Sequence, residues 1–292
     1  MIVIHHSDLD GRCAAAIVKR AAGQTRTCAL PWRPSSGGEL VEFIEMDYKT
    51  PVPFDRIQAG DAVVIVDFSL KPGDMEKLLC ITPEVTWIDH HATAKDYPYQ
   101  ALPGMRDFVD KSRSGAELAW EYFFPDIEMP YAVKLVGSYD TFRHTEKDDI
   151  AFMEGMKIYG RMNPEGEFWQ ELFSDTELLT LQVSIEGHVV EAMRDEYCGE
   201  MREAFGFEAE FEGLRCYALN LYRFGSLAYA EKMDGYDACI AFVFDGKKYT
   251  VSMYSGKDKP IVSGVCKKHG GGGHDHAAGF VCEKLPFEAK GG

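Results

Sequence analysis

None of the eight cysteines of this chain forms a C-x-x-C pair. That excludes the zinc-ribbon spacing and leaves no disulfide framework to read. Most of Cys13, Cys28, Cys80, Cys198, Cys216, Cys239, Cys266 and Cys282 sit among apolar residues, as in Ala238-Cys239-Ile240, so buried reduced thiols and a cytoplasmic location are expected. The start, Met1-Ile2-Val3-Ile4-His5-His6, lacks the cationic opening and apolar segment of a signal peptide. No apolar run approaches the roughly 18 residues of a membrane span, so no membrane partner is expected. Positive charge is also scarce: 31 Lys and Arg face 47 Asp and Glu, a net charge of -16. A grip on long duplex nucleic acid needs the opposite balance, so a nucleic-acid substrate would be short.

What is present is organised in two parts, as 292 residues allow. Short apolar runs alternate with helix-like stretches through the first half. Met1–Ile4, Ala62–Val66 and Val85–Ile88 read as strands, and Cys13–Ala22 and Pro72–Cys80 as helices. Ser114 reads as the N-cap of a helix through Glu117 and Tyr122. This alternation predicts a parallel sheet covered on both faces, with ligands beyond the carboxyl ends of its strands. From about Asp175 to Ala204 the chain reads as a helical, charged connector, and the acid-rich stretch Asp175 to Glu212 as a solvated helical face. Beyond it, Arg215–Asn220, Ala238–Phe244 and Tyr249–Tyr254 read as strands, the last two joined at Asp245-Gly246. The fold class expected is α/β: a parallel-sheet domain over 1–182, a helical connector over 183–205, and a smaller α+β domain over 206–292.

The strand ends carry the chemistry. His5-His6-Ser7-Asp8-Leu9-Asp10-Gly11 follows the first strand, Asp67 the second, and Asp89-His90-His91 the third. A fourth acid, Asp140, follows the apolar run Leu135–Tyr139, read as another strand. A single strand-end aspartate is most often a cap or turn residue. On a parallel sheet, however, all these ends meet at one rim, and carboxylates gathered there without cations would raise one another's pKa values. Carboxylates mixed with imidazoles suit Mn²⁺, Mg²⁺, Co²⁺ or Fe²⁺. In an extended exit from the first strand, His6, Asp8 and Asp10 face one way and His5 the other. Gly11 would let the chain pass close to an ion before the helix begins.

These motifs, His6-x-Asp8-x-Asp10-Gly11, Asp67, Asp89-His90-His91 and Asp140, resemble those of the DHH phosphoesterase superfamily. Gly271-Gly272-Gly273-His274 with Ala277-Ala278-Gly279-Phe280 resembles the DHHA1 domain that often follows. The resemblance spans nearly the whole chain in order. It implies a DHH catalytic domain, a DHHA1 substrate-binding domain and two divalent ions, Mn²⁺ foremost. Asp8 and Asp10 would each bind one ion, His6 would assist the first, Asp67 would bridge both, and His90 and Asp140 would complete the second. His91 would contact the scissile phosphate, and Asp89 would orient an imidazole. Whether His5 or His6 is the first-motif ligand stays open. A bridging hydroxide between two metals would be the nucleophile.

The run Gly270–Gly273 is not a P-loop, because no Gly-Lys-Ser/Thr follows. A linker is the plain reading of such a tract. The helix-like Ile261–His269 before it and the apolar Ala277–Val281 after it instead suggest exposed amides that bind an anion, with His274 as a further donor. In DHHA1 relatives this loop holds the substrate's terminal phosphate or nucleotide. Arg113, at a helix start, is a candidate phosphate contact. Phe142 and Trp169 are expected in the core, and His276 as a partly buried structural residue.

The resemblance implies a metal-dependent phosphodiesterase of the nanoRNase or oligoribonuclease kind, an exonuclease that releases mononucleotides from short oligonucleotides. Rival readings are a phosphodiesterase for cyclic or linear dinucleotides, a phosphatase for 3′-phosphoadenosine 5′-phosphate, and a catalytically dead nucleotide-binding module. The partners expected are a short oligonucleotide or a dinucleotide; a homodimer is left open.

Overall fold

The computed structural model describes residues 1–23, 41–91, 97, 105–109, 112–158, 162–174 and 177–290. Cys28 and Asp175 lie outside the described residues. The chain divides into two compact units, Met1–Val190 and Glu191–Gly292.

The first unit is built on β1 (Ile2–His6), α1 (Leu9–Gly23), β2 (Glu42–Met46), β3 (Val63–Val66), α2 (Pro72–Ile81), β4 (Val85–Asp89) and β5 (Met105–Val109). Helices α3 (Gly115–Phe123), α4 (Tyr131–Asp140), α5 (Asp149–Lys157) and α6 (Glu167–Leu172) follow. The strands form a five-stranded sheet in the order β2-β1-β3-β4-β5, and every pairing in it is parallel. Strand alternation sends Val3, Val64, Val66 and Ile88 to one face, where they meet α1, α3 and α4. Ile2, Ile4, Ile65 and Trp87 go to the other, against Met75 and Leu78 of α2. Burial on both faces explains why β1 and β3 read as unbroken apolar runs.

A parallel sheet brings the carboxyl ends of β1, β3 and β4 to one rim, as expected. Asp140 reaches the same place by another route. Leu135–Tyr139 is not a strand: it belongs to α4, and Asp140 is the last residue of that helix. Its buried residues, Ala132, Val133, Leu135, Val136 and Gly137, follow helical spacing. The exit from β1 is likewise not extended throughout, because α1 begins at Leu9 and Asp10 lies in its first turn.

The 28-residue helix α7 (Leu178–Phe205) runs from the first unit into the second. Its face is not purely solvated polar surface, since Leu178, Ile185 and Val189 are exposed. The second unit contains β6 (Phe207–Phe211), β7 (Leu214–Asn220), α8 (Lys232–Gly235), β8 (Ala238–Phe244), β9 (Tyr249–Tyr254), α9 (Val262–Lys268), β10 (Gly272–His274) and β11 (Ala277–Cys282). Its sheet is mixed, in the order β10-β11-β9-β8-β7-β6, with only β7 and β8 paired in parallel. The α/β first unit and the smaller α+β second unit are the fold class expected. Among the described residues, no helix is long and apolar enough to cross a membrane.

Candidate metal centre

The end of β3 sets the centre of the site. Asp67 follows Val66 directly, and its amide is held by the Ile88 carbonyl at 2.9 Å. Its φ of 52° is left-handed, a conformation that aspartate tolerates better than most residues but still at some cost. The side chain is buried, and neither carboxylate oxygen has a hydrogen-bond partner among the described residues.

Around Asp67 stand ligand-type atoms from four other elements or their ends: β1, α1, β4 and α4. His6 Nδ1 lies 2.7 Å from Asp8 Oδ2 and 3.8 Å from Asp67 Oδ2. His90 Nε2 lies 3.1 Å from Asp67 Oδ1, 3.4 Å from Asp140 Oδ2 and 3.8 Å from Asp10 Oδ2. The donors fall into overlapping sets, His6–Asp8–Asp67, Asp10–His90–Asp140 and Asp67–His90–His91, each with its atoms within 4.8 Å. All six residues expected as ligands are therefore brought together, and Asp67 belongs to sets on both sides. His5 turns away. Its ring is buried, edge-on to Phe43, and Nδ1 donates to the His6 carbonyl at 2.8 Å. Of the adjacent pair, His6 faces the carboxylates.

Asp89 sits behind this group, fully buried. Its Oδ1 accepts from His91 Nδ1 at 2.7 Å and from the His90 amide at 2.8 Å, and its Oδ2 accepts from Ser69 Oγ. It is thereby occupied in fixing the two histidines that follow it. Asp10 is held by backbone: the amides of Gly115 and Ala116, at the start of α3, donate to it at 2.6 and 3.1 Å. Ser114 caps that helix in a reciprocal capping box with Glu117. Gly11 is needed for packing, since a Cβ there would lie 2.5 Å from the His6 carbonyl oxygen.

The electrostatics are those of a site short of positive charge. Burial, then the charges of Asp10 and Asp8, push the Asp67 carboxyl well above the carboxylate range. Burial and the same neighbours push Asp140 up to about 9. Asp10 is raised as well, chiefly by burial. Burial works to raise Asp8 and Asp89 too and is the largest single influence on each, but the hydrogen bond and charge of His6 or His91, together with further hydrogen bonds, outweigh it and leave both below their usual values. Unpartnered buried carboxylate oxygens beside imidazoles are the donor set that divalent cations satisfy. The residues present fit such ions.

The other expected contacts lie elsewhere. Arg113 is not among the clustered donors; its guanidinium pairs with Glu121 at 3.0 Å. Phe142 is not in the core: it is 70% exposed, with a left-handed φ of 52°. The β-turn after α4 forces it outward, its amide bound to Tyr139 O and that of Arg143 to Ser138 O. Trp169 is buried as expected. In the second unit, Gly272 to His274 form edge strand β10, paired with Ala277 to Gly279. A Cβ on Gly271 would lie 2.0 Å from Gly279 O, and one on Gly273 2.7 Å from Ala277 O, so close strand packing demands both glycines. Gly272 faces open space. His276 accepts or donates one hydrogen bond with Ser255 Oγ at 2.9 Å.

Sequence reasoning missed Ser69, Tyr48 and the pair Glu117–Arg143. Tyr48 places its ring 5.8 Å from that of His6 and 5.9 Å from that of His91. Arg143 donates to both oxygens of Glu117 at 2.8 Å. Only Glu117 left a trace in the sequence, through the Ser114-x-x-Glu117 capping spacing.

No family model matches the chain, and no curated protein matches it in sequence. Solved structures do resemble it. The DHH domain of a protein described as a member of a ribosomal-protein family aligns with a TM-score of 0.57 at 14% identity, over 96% of this chain and 82% of that one. PggH of Vibrio cholerae, a pGpG-specific phosphodiesterase, aligns with a TM-score of 0.56 at 14% identity, over 97% of this chain and 93% of that one. The exonuclease RecJ bound to manganese aligns with a TM-score of 0.51 at 16% identity, over 96% and 85%. The fold is that of the DHH-domain proteins, and it extends over nearly the whole chain.

Proposed function

We propose that this protein is a divalent-metal-dependent phosphodiesterase that hydrolyses short oligonucleotides to mononucleotides. The observation that carries the reading is Asp67: buried, left-handed, without a hydrogen-bond partner for either oxygen, and set between His6–Asp8 and His90–Asp140. An acid held at this cost has a use that folding alone does not supply. The likeness of the fold to PggH and to manganese-bound RecJ supports the same chemistry.

Two divalent ions, when bound, supply an activated water and neutralise charge on the phosphoryl oxygens. His6, Asp8 and Asp67 would hold one, and Asp67, His90, Asp10 and Asp140 the other. The chain's own residues then have separable tasks. Gly115 and Ala116 fix the Asp10 carboxylate through their amides, so it cannot rotate away from His90. Asp89 fixes the tautomer and orientation of His91, leaving Nε2 to contact the phosphate. Burial lowers the His91 pKa, but the hydrogen bond and charge of Asp89, with the charges of Asp8 and Asp10, raise it above the usual value, which favours a proton on the ring. The glycines at 271–273, His274 and Arg113 are proposed as contacts to substrate phosphate.

The net charge of -16 favours short substrates over long duplexes. A preference for linear dinucleotides is the second reading, and the pGpG specificity of PggH favours it. A panel with Mn²⁺ tests both: di- to pentanucleotides of RNA and DNA, cyclic dinucleotides, 3′-phosphoadenosine 5′-phosphate and pyrophosphate. Mononucleotide release from the short linear oligomers is expected. Inertness toward every diester, with pyrophosphate or the monoester cleaved, would overturn the proposal.

A further inference from the structure

Beside the metal cluster, still within the first unit, lies a cavity of about 440 Å³ that the reading above does not use. It opens under the loop after β2 and is floored by the buried residues Met46, Phe68 and Leu70. Its wall toward the cluster is Tyr48, half of whose surface is exposed. One face of that ring is covered: Phe68 stacks on it at 4.9 Å with the planes 28° apart, and Phe68 in turn stacks on His6. A tyrosine backed by a second aromatic, with surface left bare beside metal ligands, offers a flat apolar platform. Its cost in exposed area is otherwise unexplained. Base stacking is the chemistry that such a platform serves.

The lining of the cavity also includes Lys49, Lys71 and Lys77. Among the described residues, none of the three makes an ion pair, although acids outnumber bases in the chain. Two acids also line the cavity, Asp47 and Asp74. Asp47 is committed to its own turn, accepting from the amides of Lys49 and Thr50 at 2.9 and 2.7 Å and from the Thr50 hydroxyl at 2.6 Å. Three lysines against two aspartates leave the lining of this aromatic-walled pocket with a small excess of positive charge. Lys77 Nζ rests over the Phe54 ring at 3.9 Å, which positions its charge. Ser69 lines the same cavity and donates to Asp89, so the pocket and the metal centre share a wall.

We propose that this cavity is a mononucleotide subsite of the metal centre, with Tyr48 stacking the base and Lys49, Lys71 and Lys77 receiving a phosphate. The ligand class is a nucleoside monophosphate, either a unit of the substrate adjoining the scissile bond or the released product. The inference rests on the proposed diesterase reading for its biological sense, but it is tested without catalysis.

The test is calorimetric titration of AMP, ribose 5-phosphate and adenosine into the full chain in excess chelator. AMP is expected to bind about tenfold or more tightly than either fragment, because stacking and charge act together. The triple substitution K49E/K71E/K77E should weaken AMP by about tenfold or more while leaving adenosine unchanged. Tyr48→Ala should weaken both AMP and adenosine, and Tyr48→Phe, which keeps the ring, should restore them. AMP affinity unchanged in the triple variant, or no preference of AMP over ribose 5-phosphate, would overturn the subsite. AMP binding by a protein inert in the substrate panel would refute the reaction and keep the subsite. Hydrolysis without AMP binding would do the reverse.

Discussion

Gly115 lies so close to Asp67 that a Cβ on it would stand 2.4 Å from the Cβ of Asp67 and 2.8 Å from its Oδ1. The start of α3 thus serves twice: its amides hold Asp10, and its missing side chain makes room for Asp67. Gly115→Ala must displace one or the other. It is expected to cost about 1–3 kcal/mol in stability by overpacking. It should cost about 10²-fold in kcat/KM, because the reacting geometry shifts. Urea unfolding and steady-state kinetics on one preparation separate the two effects. A fully active, fully stable variant would mean that α3 is not the back wall of the site.

The raised carboxyls give metal-free stability a definite slope with pH. Asp67, Asp140 and Asp10 hold protons in the native state that they release in the unfolded state above about pH 4. The native state therefore binds more protons, and stability falls as pH rises from the unfolded pKa toward the folded one, about 9 for Asp140. Mn²⁺ competes with those protons, so its stabilising effect should grow over the same window. Melting temperatures at pH 5 and pH 8, with Mn²⁺ and with chelator, check this. Asp140→Asn should flatten the metal-free slope. A slope of opposite sign in chelator would contradict the carboxyl assignments.

Asp89 is engaged by Ser69, His91 and two backbone amides, which leaves it to position and not to coordinate. Asp89→Asn should lower kcat/KM by about 10–100-fold. Mn²⁺ stoichiometry should stay as in the unsubstituted chain. Loss of an ion in this variant would make Asp89 a ligand.

Glu117 links the start of α3 to the turn after α4, accepting from the Ser114 amide at 2.9 Å and from Arg143. Gly137 is glycine because a Cβ there would lie 2.5 Å from the Glu117 carboxyl carbon. Glu117→Ala strands these donors and should cost about 1–3 kcal/mol, read as a lower urea midpoint. A neutral result would mean that the end of α4, and Asp140 with it, is held by other contacts.

Much of the first unit was legible because its sheet is parallel. Strands buried on both faces read as apolar runs, and Asp67 and Asp89-His90-His91 stand immediately after two of them. Leu135–Tyr139 misled for the same reason: a short apolar run has no period to separate strand from helix. Asp8 and Asp10 alternate as a strand would, yet the helix has already begun at Leu9. Tyr48 and the lysines of its cavity could not be read at all. Tyr48 meets Phe68 and His91 only through the pairing of β2 with β1 and of β1 with β3, and the lysines come from the loop after β2 and from the start and body of α2, a juxtaposition that no local pattern marks. The glycines at 271 and 273 had a local explanation in close strand packing, which a glycine run does not announce.

The carboxylates and imidazoles around Asp67 are proposed to bind catalytic divalent ions. Calorimetric titration of Mn²⁺ into the chelator-stripped full chain tests this most directly, with Asp67→Asn beside it. Two ions per chain are expected in the unsubstituted protein and loss of tight binding in the variant, with the fold retained by circular dichroism. No Mn²⁺ binding in the unsubstituted chain, or equal binding in Asp67→Asn, would contradict that proposal.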